Sequence, residues 1–216
     1  MKKLLIATNN PGKLKEYKEL LKDLPLKLIS LKNLGIKNKV NESGKTFEEN
    51  AIKKAKFYSK LTGLTALADD GGLEIDYLKG EPGVKSRRWP GLQPTHHPPR
   101  RHLKATDKEL IDFCLKKLER VPWQKRRARF RVIIALAISG KEVLISEGKL
   151  KGIILTKPRG KLIPGYPFRP IFYLPKHRKS FSELSFKEEV KIGHRRKPIK
   201  KLLSFLKLEK FEISLI

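Results

Sequence analysis

Cysteine is all but absent from this sequence. The single residue, Cys114, leaves no partner for an internal disulfide and excludes metal or redox motifs built on cysteine pairs. Its helical neighbourhood reads as a buried thiol, not a nucleophile. Long apolar runs are also missing. No stretch approaches the ~18 apolar residues of a membrane span, so no membrane partner is expected. The opening run, residues 4–7, stops at Thr8-Asn9-Asn10, short of the ~7–15 residues of an export segment. A reducing, cytoplasmic setting is therefore expected. Negative charge is scarce: 22 acidic side chains against 50 basic ones, a net +28. That excess favours polyanions such as nucleotides. The basic residues are scattered along the chain, which argues against a single nucleic-acid groove and a specific nucleic-acid partner. What is there, 39% apolar and 33% charged residues over 216 positions, is the composition of a folded chain with room for one large domain.

Two of the scarce acids stand side by side. An apolar run, residues 64–68, ends in Asp69 and Asp70, and Gly71 and Gly72 follow at once. Leu73, Ile75 and Tyr77 then alternate with Glu74 and Asp76, the period of a half-buried strand. The pattern reads as a strand that ends in a sharp turn at a sheet edge, where a ligand can approach the backbone at Gly71. Paired carboxylates in such a place suit Mg²⁺, which takes oxygen ligands from acids and phosphates. An ordinary hairpin with a solvated acidic turn fits the same residues.

The first third alternates strand and helix. Residues 4–7 read as a buried strand, and 8–12 as a turn rich in Asn, Pro and Gly. A helix over 13 to about 22 puts Leu14, Tyr17, Leu20 and Leu21 on one face. Strand, polar turn and helix N-terminus make an anion site, with Thr8 and Asn10 as hydrogen-bonding groups and Lys13 as a charge. A plain strand-to-helix turn reads the same way, and the Walker A spacing is missing. A second strand is expected over 27–31, then a polar loop carrying Glu42. Thr46 and Glu49 form a capping box that opens a helix to about 61, stopped before Gly63. Its apolar stripe is Phe47, Ala51, Ala55 and Tyr58, with Lys54 beside it.

Further on, Thr106 and Glu109 open another helix, to about 118. Residues 127–138 read as a long strand, apolar on both faces from Val132 onward. A turn at 139–141, strands over 142–148 and 152–156, and a last helix over 198–206 complete the pattern. Residues 92–104 hold His96, His97 and His102 among prolines and arginines. With no cysteine and no carboxylate in that segment, it reads as an irregular basic loop, not a metal site.

Taken together, several segments resemble the inosine/xanthosine triphosphate pyrophosphatase family. They are Ala7-Thr8-Asn9-Asn10-Pro11-Gly12-Lys13-Leu14-Lys15-Glu16, Glu42, Thr46-Phe47-Glu48-Glu49-Asn50-Ala51 with Lys54, Ala68-Asp69-Asp70-Gly71-Gly72-Leu73-Glu74, and Pro82-Gly83-Val84-Lys85-Ser86-Arg87. The match is dense over residues 3–91 and traceable over 105–206. The resemblance implies an α/β fold, an elongated mixed β-sheet flanked by helices, with two lobes and a central active-site cleft. It implies one domain over 1–216, with the 92–104 loop inserted, and a homodimer. It implies Mg²⁺-dependent hydrolysis of unusual purine nucleoside triphosphates (ITP, dITP, XTP) to the monophosphate and pyrophosphate. Asp70 would be the catalytic base. Glu42, Asp70 and Asp69 would hold the metal, and Thr8, Asn10, Lys13 and Lys54 the phosphates, with Gly71 among the substrate-binding residues.

The base-binding segment departs from the family. Gly165-Tyr166-Pro167-Phe168-Arg169-Pro170 stands where the family has Gly-Phe-Gly-Tyr-Asp-Pro. Tyr166 and Phe168 keep the aromatic character needed to stack on a base, while Arg169 replaces the aspartate. His194 and Arg195 match a later substrate-binding pair, but Glu189 takes the place of a lysine before them. The exchanged charges suggest that the Arg169 fork donates to O6 and N7 of a 6-oxopurine while Glu189 accepts from N1–H. The rival reading is a non-catalytic basic protein that binds nucleotides or nucleic acid. Glu42, Asp69 and Asp70 weigh against it, because acids repel polyphosphate unless a cation lies between.

Overall fold

A computed structural model of the chain describes residues 2–89, 105–138 and 142–208. The 92–104 loop and the 139–141 turn expected from the sequence lie outside the described residues. The seven strands among them are β1 (Lys2–Ile6), β2 (Leu26–Ser30), β3 (Thr65–Ile75), β4 (Arg127–Ala137), β5 (Val143–Ile154), β6 (Phe172–Leu174) and β7 (Lys179–Ser180). They form one mixed sheet in the order β2-β1-β3-β4-β5-β6-β7. The first three run parallel, with Leu4 opposite Leu28 and Leu5 opposite Ala66. β5, β6 and β7 are antiparallel, with Ile153 opposite Tyr173. The helices are α1 (Pro11–Leu20), α2 (Phe47–Thr62), α3 (Asp107–Lys117), α4 (Phe186–Ile192) and α5 (Arg196–Leu208). The fold is α/β, as expected.

The helix signals in the sequence are realised as local hydrogen bonds. Thr46 caps α2 by accepting from the Glu49 N–H, and Gly63 ends that helix at φ 68°. The Glu49 carboxylate reaches the Lys45 N–H instead of closing the box on Thr46. At α3 the box closes in both directions between Thr106 and Glu109. α5 begins two residues before Pro198, which therefore sits in its first turn, where its missing N–H costs nothing.

Two strand expectations need correction. Asp69-Asp70-Gly71-Gly72 is not a turn at a sheet edge: β3 runs unbroken through it, between β1 and β4. Leu67, Ala68, Leu73 and Ile75 are all buried, so both ends of the segment are anchored in apolar packing. The strands expected over 142–148 and 152–156 are likewise one strand, β5 (Val143–Ile154), not two. The glycines that read as breaks are points of close approach. A Cβ on Gly148 would stand 1.9 Å from the His194 carbonyl oxygen, and one on Gly152 would stand 2.6 Å from the Phe172 ring.

The chain packs as two compact units. One comprises residues up to 71, 132–149 and those from 190; the other comprises 72–131 and 150–189. In the first, Leu4, Ile6, Leu67, Val132, Ile134 and Leu136 of the strands share a core with Tyr17, Leu21, Ile199 and Leu202. In the second, Leu110, Ile111, Cys114 and Leu118 are buried, and the Phe130 and Phe172 ring centroids lie 4.2 Å apart. Burial pushes the Cys114 thiol up to about 12, consistent with a packing role. Arg126 is also buried there and donates to the backbone oxygens of Leu118, Val121, Ile154 and Leu155 (2.7 Å for the last). A buried guanidinium is thus satisfied by carbonyls alone.

Candidate active site

The first unit holds all of the expected phosphate and metal residues, and the start of α1 gathers the first of them. Thr8 Oγ1 accepts from the Asn10 N–H at 3.1 Å, and Asn10 Oδ1 accepts from the Gly12 and Lys13 N–H groups at 2.9 and 3.2 Å. Asn10 is therefore the helix cap, and it occupies backbone donors that the sequence reading offered to phosphate. Lys13, in the first turn, carries its ammonium to Asp69 Oδ1 at 2.9 Å.

Asp69 is the hub of a buried ionic network. Arg195 Nε donates to its other oxygen at 2.9 Å, and Arg195 Nη1 reaches Glu16 Oε2 at 3.0 Å. Asp69, Glu16 and Arg195 are each at most 4% exposed. Burial alone would raise the Asp69 carboxyl, but Lys13, Arg195 and Lys54 outweigh it and hold it well below the usual carboxylate range. For Lys13, loss of water wins over the pull of Asp69, and its ammonium is lowered. Two cations and two anions balance here, the condition under which burying charge is tolerable.

Asp70 faces a different set of groups. Lys54 Nζ lies 3.0 Å from Glu42 Oε1 and 3.9 Å from Asp70 Oδ1, and donates to the Asp69 carbonyl oxygen at 2.6 Å. Asp70 Oδ1 accepts from the Gly71 N–H at 3.0 Å. Burial raises the Asp70 carboxyl, against the pull of Lys54 and Lys13. Burial lowers the Lys54 ammonium, but Asp70, Asp69 and Glu42 outweigh it and leave it raised. Lys54 thus stays charged between two carboxylates that belong to different segments of chain.

Glu42 and Asp70 are the pair that suits a divalent cation. Both offer hard oxygens around one lysine, and Mg²⁺ is commonly held by one or two carboxylates with phosphate oxygens and water making up the rest. The expected trio does not converge: among the described residues no group of three or more His, Cys, Asp or Glu side chains gathers. Both Asp69 oxygens are turned to Lys13 and Arg195.

The base-binding candidates other than His194 and Arg195 lie in the second unit. Phe168 is 4% exposed and meets Trp89 edge-on at 6.1 Å, so it is packed inside instead of offering a face. Arg169 is buried, with its guanidinium 3.8 Å from the Tyr166 ring centroid. Its fork is bidentate to Glu189, Nη1 donating at 2.9 Å and Nη2 to the other oxygen. The two exchanged charges found in the sequence are therefore partners of one another. Asp107 ties the same segment down, accepting from Arg87 Nη1 and from the Gly165 N–H, both at 2.6 Å.

A model of the Ham1 family matches residues 4–205. The chain belongs to the Ham1 family. A dITP/XTP pyrophosphatase of Thermoanaerobacter pseudethanolicus is 41% identical over 204 residues, covering 94% of this chain and 96% of that protein. Its counterpart in Bacillus subtilis is 39% identical over 206 residues, covering 95% and 98%. The Ham1 protein of Coxiella burnetii superposes with a TM-score of 0.79 at 38% identity, covering 96% of this chain and all of that one. The Ham1 protein of Staphylococcus aureus gives 0.78 at 35%, covering 97% and all of that chain. The resemblance read from the motifs is thus borne out over residues 4–205.

Within this Ham1 chain, Glu16, Asn50 and Asp107 are residues that sequence reasoning left unassigned. Glu16 stands three residues after Lys13, on one helix face. Asn50 stands four before Lys54 in the interior of α2, where asparagine is a poor helix former. A polar residue at a buried helical position was the available signal for both. Nothing local distinguishes Asp107 from any acidic residue in a first helical turn.

Proposed function

We propose that the chain is a nucleoside triphosphate pyrophosphatase that cleaves ITP, dITP and XTP to the monophosphate and pyrophosphate, with Mg²⁺. The observation that carries this is the convergence of Glu42 and Asp70 on Lys54 in the unit that also holds Lys13. The names of the homologous dITP/XTP pyrophosphatases support the substrate class.

In this reading Lys54 and Lys13 neutralise the triphosphate, with Thr8, Asn10 and Gly71 lining its path. Glu42 and Asp70 would hold the metal, which when bound withdraws charge from the phosphate oxygens and orients them. Asp70 takes the proton of the attacking water at a carboxylate oxygen. Its raised affinity for protons makes it a better base than an exposed aspartate, and Lys54 keeps it ionised. Asp69 serves by holding Lys13 and Arg195 in place instead of binding the metal. His194 and Arg195 belong to the substrate-binding set, and Tyr166, Phe168 and Arg169 to the base-binding segment. A homodimer, a cytoplasmic setting and a single domain with the 92–104 insertion complete the proposal. Among the described residues no helix is long and apolar enough to cross a membrane.

The test is pyrophosphate release from ITP, dITP, XTP, GTP and ATP with and without Mg²⁺, on wild type and Asp70→Asn. Metal-dependent release from the first three is expected, with kcat of the variant reduced far more than tenfold, a loss well beyond ~1.4 kcal/mol. Nucleotide binding without release would favour the non-catalytic reading.

A further inference from the structure

Asn50 is 3% exposed on α2, one turn before Lys54. Its Oδ1 accepts from the Gly44 N–H at 2.8 Å. It stands on the same helix as Lys54, whose ammonium lies 3.0 Å from Glu42 Oε1 and 3.9 Å from Asp70 Oδ1. One buried side chain therefore ties the loop that carries Glu42 to the helix whose lysine meets both acids. Lys54 holds those acids as a charge, which attracts from many directions. The carboxamide is directional, with an acceptor at one end and donors at the other. Gly44 adds an independent constraint. A Cβ there would stand 2.7 Å from Asn50 Oδ1 and 2.8 Å from Glu49 Cβ, so the loop backbone approaches α2 as closely as only glycine permits.

We propose that Asn50 is a positioning residue, which locks the Gly44 backbone to α2 one turn before Lys54 and so sets Glu42 at the spacing from Asp70 that a divalent cation requires. The inference rests on the functional reading above. It adds a part to it: the loop that carries Glu42 is not held by charge alone, and the amide fixes its height against α2. Residues that orient metal ligands typically matter by about 10–100-fold in affinity or activity.

The experiment compares the full chain with Asn50→Ala, Gly44→Ala and Ser43→Ala. Ser43 lies in the same loop, but its hydroxyl meets only the exposed Lys53 ammonium, at 3.0 Å, so its variant is the control. Mn²⁺ binding is measured by electron paramagnetic resonance without nucleotide, kcat and KM at saturating Mg²⁺, and folding by thermal unfolding. Asn50→Ala and Gly44→Ala are expected to weaken Mn²⁺ binding and lower kcat by about tenfold or more, with KM for ITP within about twofold. Ser43→Ala should match wild type. Should Asn50→Ala fail to fold, Gly44→Ala decides, since it adds one methyl group at a position without positive φ. Wild-type Mn²⁺ affinity and kcat in a folded Asn50→Ala or Gly44→Ala protein would overturn the proposal. So would an equal loss in Ser43→Ala. A wild type that binds Mn²⁺ but releases no pyrophosphate would overturn the functional reading alone, and the Mn²⁺ comparison would still decide this one. A wild type that binds no Mn²⁺ would sink both.

Discussion

At the scale of single residues, Asp69 and Asp70 show how neighbours in sequence take different work. Asp69 neutralises Lys13 and Arg195 in the interior, whereas Asp70 shares Lys54 with Glu42. Asp69→Asn leaves Lys13 without its carboxylate and Arg195 with Glu16 alone, and is expected to cost about 3–5 kcal/mol in urea unfolding at neutral pH. Its pH dependence has a definite sign. Because Asp69 is held below its unfolded value of ~3.9, its contribution is complete above that pH and is lost as pH falls through the lower folded value. Wild-type unfolding free energy should therefore fall below pH ~4 by more than that of the Asn variant. Arg169 offers a second prediction. Its fork is engaged by Glu189, so Arg169→Ala acts by leaving a buried carboxylate unpaired instead of by removing a reader of the base. Its kcat/KM for ITP, XTP, GTP and ATP should fall by a common factor. A selective loss for the 6-oxopurines would restore direct readout by the guanidinium.

At the scale of elements, glycine was the residue whose meaning local pattern misjudged. Gly71, Gly72, Gly148 and Gly152 all read as breaks, yet none of them has positive φ and the strands run through them. What glycine provides at 148 and 152 is room for another segment's backbone or ring. Gly148→Ala forces a methyl into the His194 carbonyl and is expected to destabilise by at least the ~1–3 kcal/mol of an overpacked core, visible as a lowered Tm. Helix ends were far more legible. Thr46 and Thr106 cap their helices through contacts three residues away, so the sequence window contains both partners; the Asn10 cap of α1 was not read.

At the scale of the whole molecule, the +28 charge is spread over many exposed side chains and is paired only in part. It supplies a general attraction for polyanions, not a directional site. Duplex DNA should therefore bind weakly and without sequence preference, losing affinity steeply between ~50 and ~200 mM salt. Sub-micromolar, sequence-dependent binding at physiological salt, seen by fluorescence anisotropy, would return weight to a nucleic-acid role.

By itself, the sequence determined the α/β class, the starts of α2 and α3, and the family. These rest on periodicity, caps and short motifs, all of them local. It did not determine which charges meet. The pairing of Arg195 with Glu16 and Asp69 spans 179 and 126 positions, and that of Arg169 with Glu189 spans 20. Only tertiary packing brings such groups within about 3 Å, and only there does loss of water force each buried charge to find a partner. That requirement pairs Asp69 with Lys13 and Arg195, and Arg169 with Glu189.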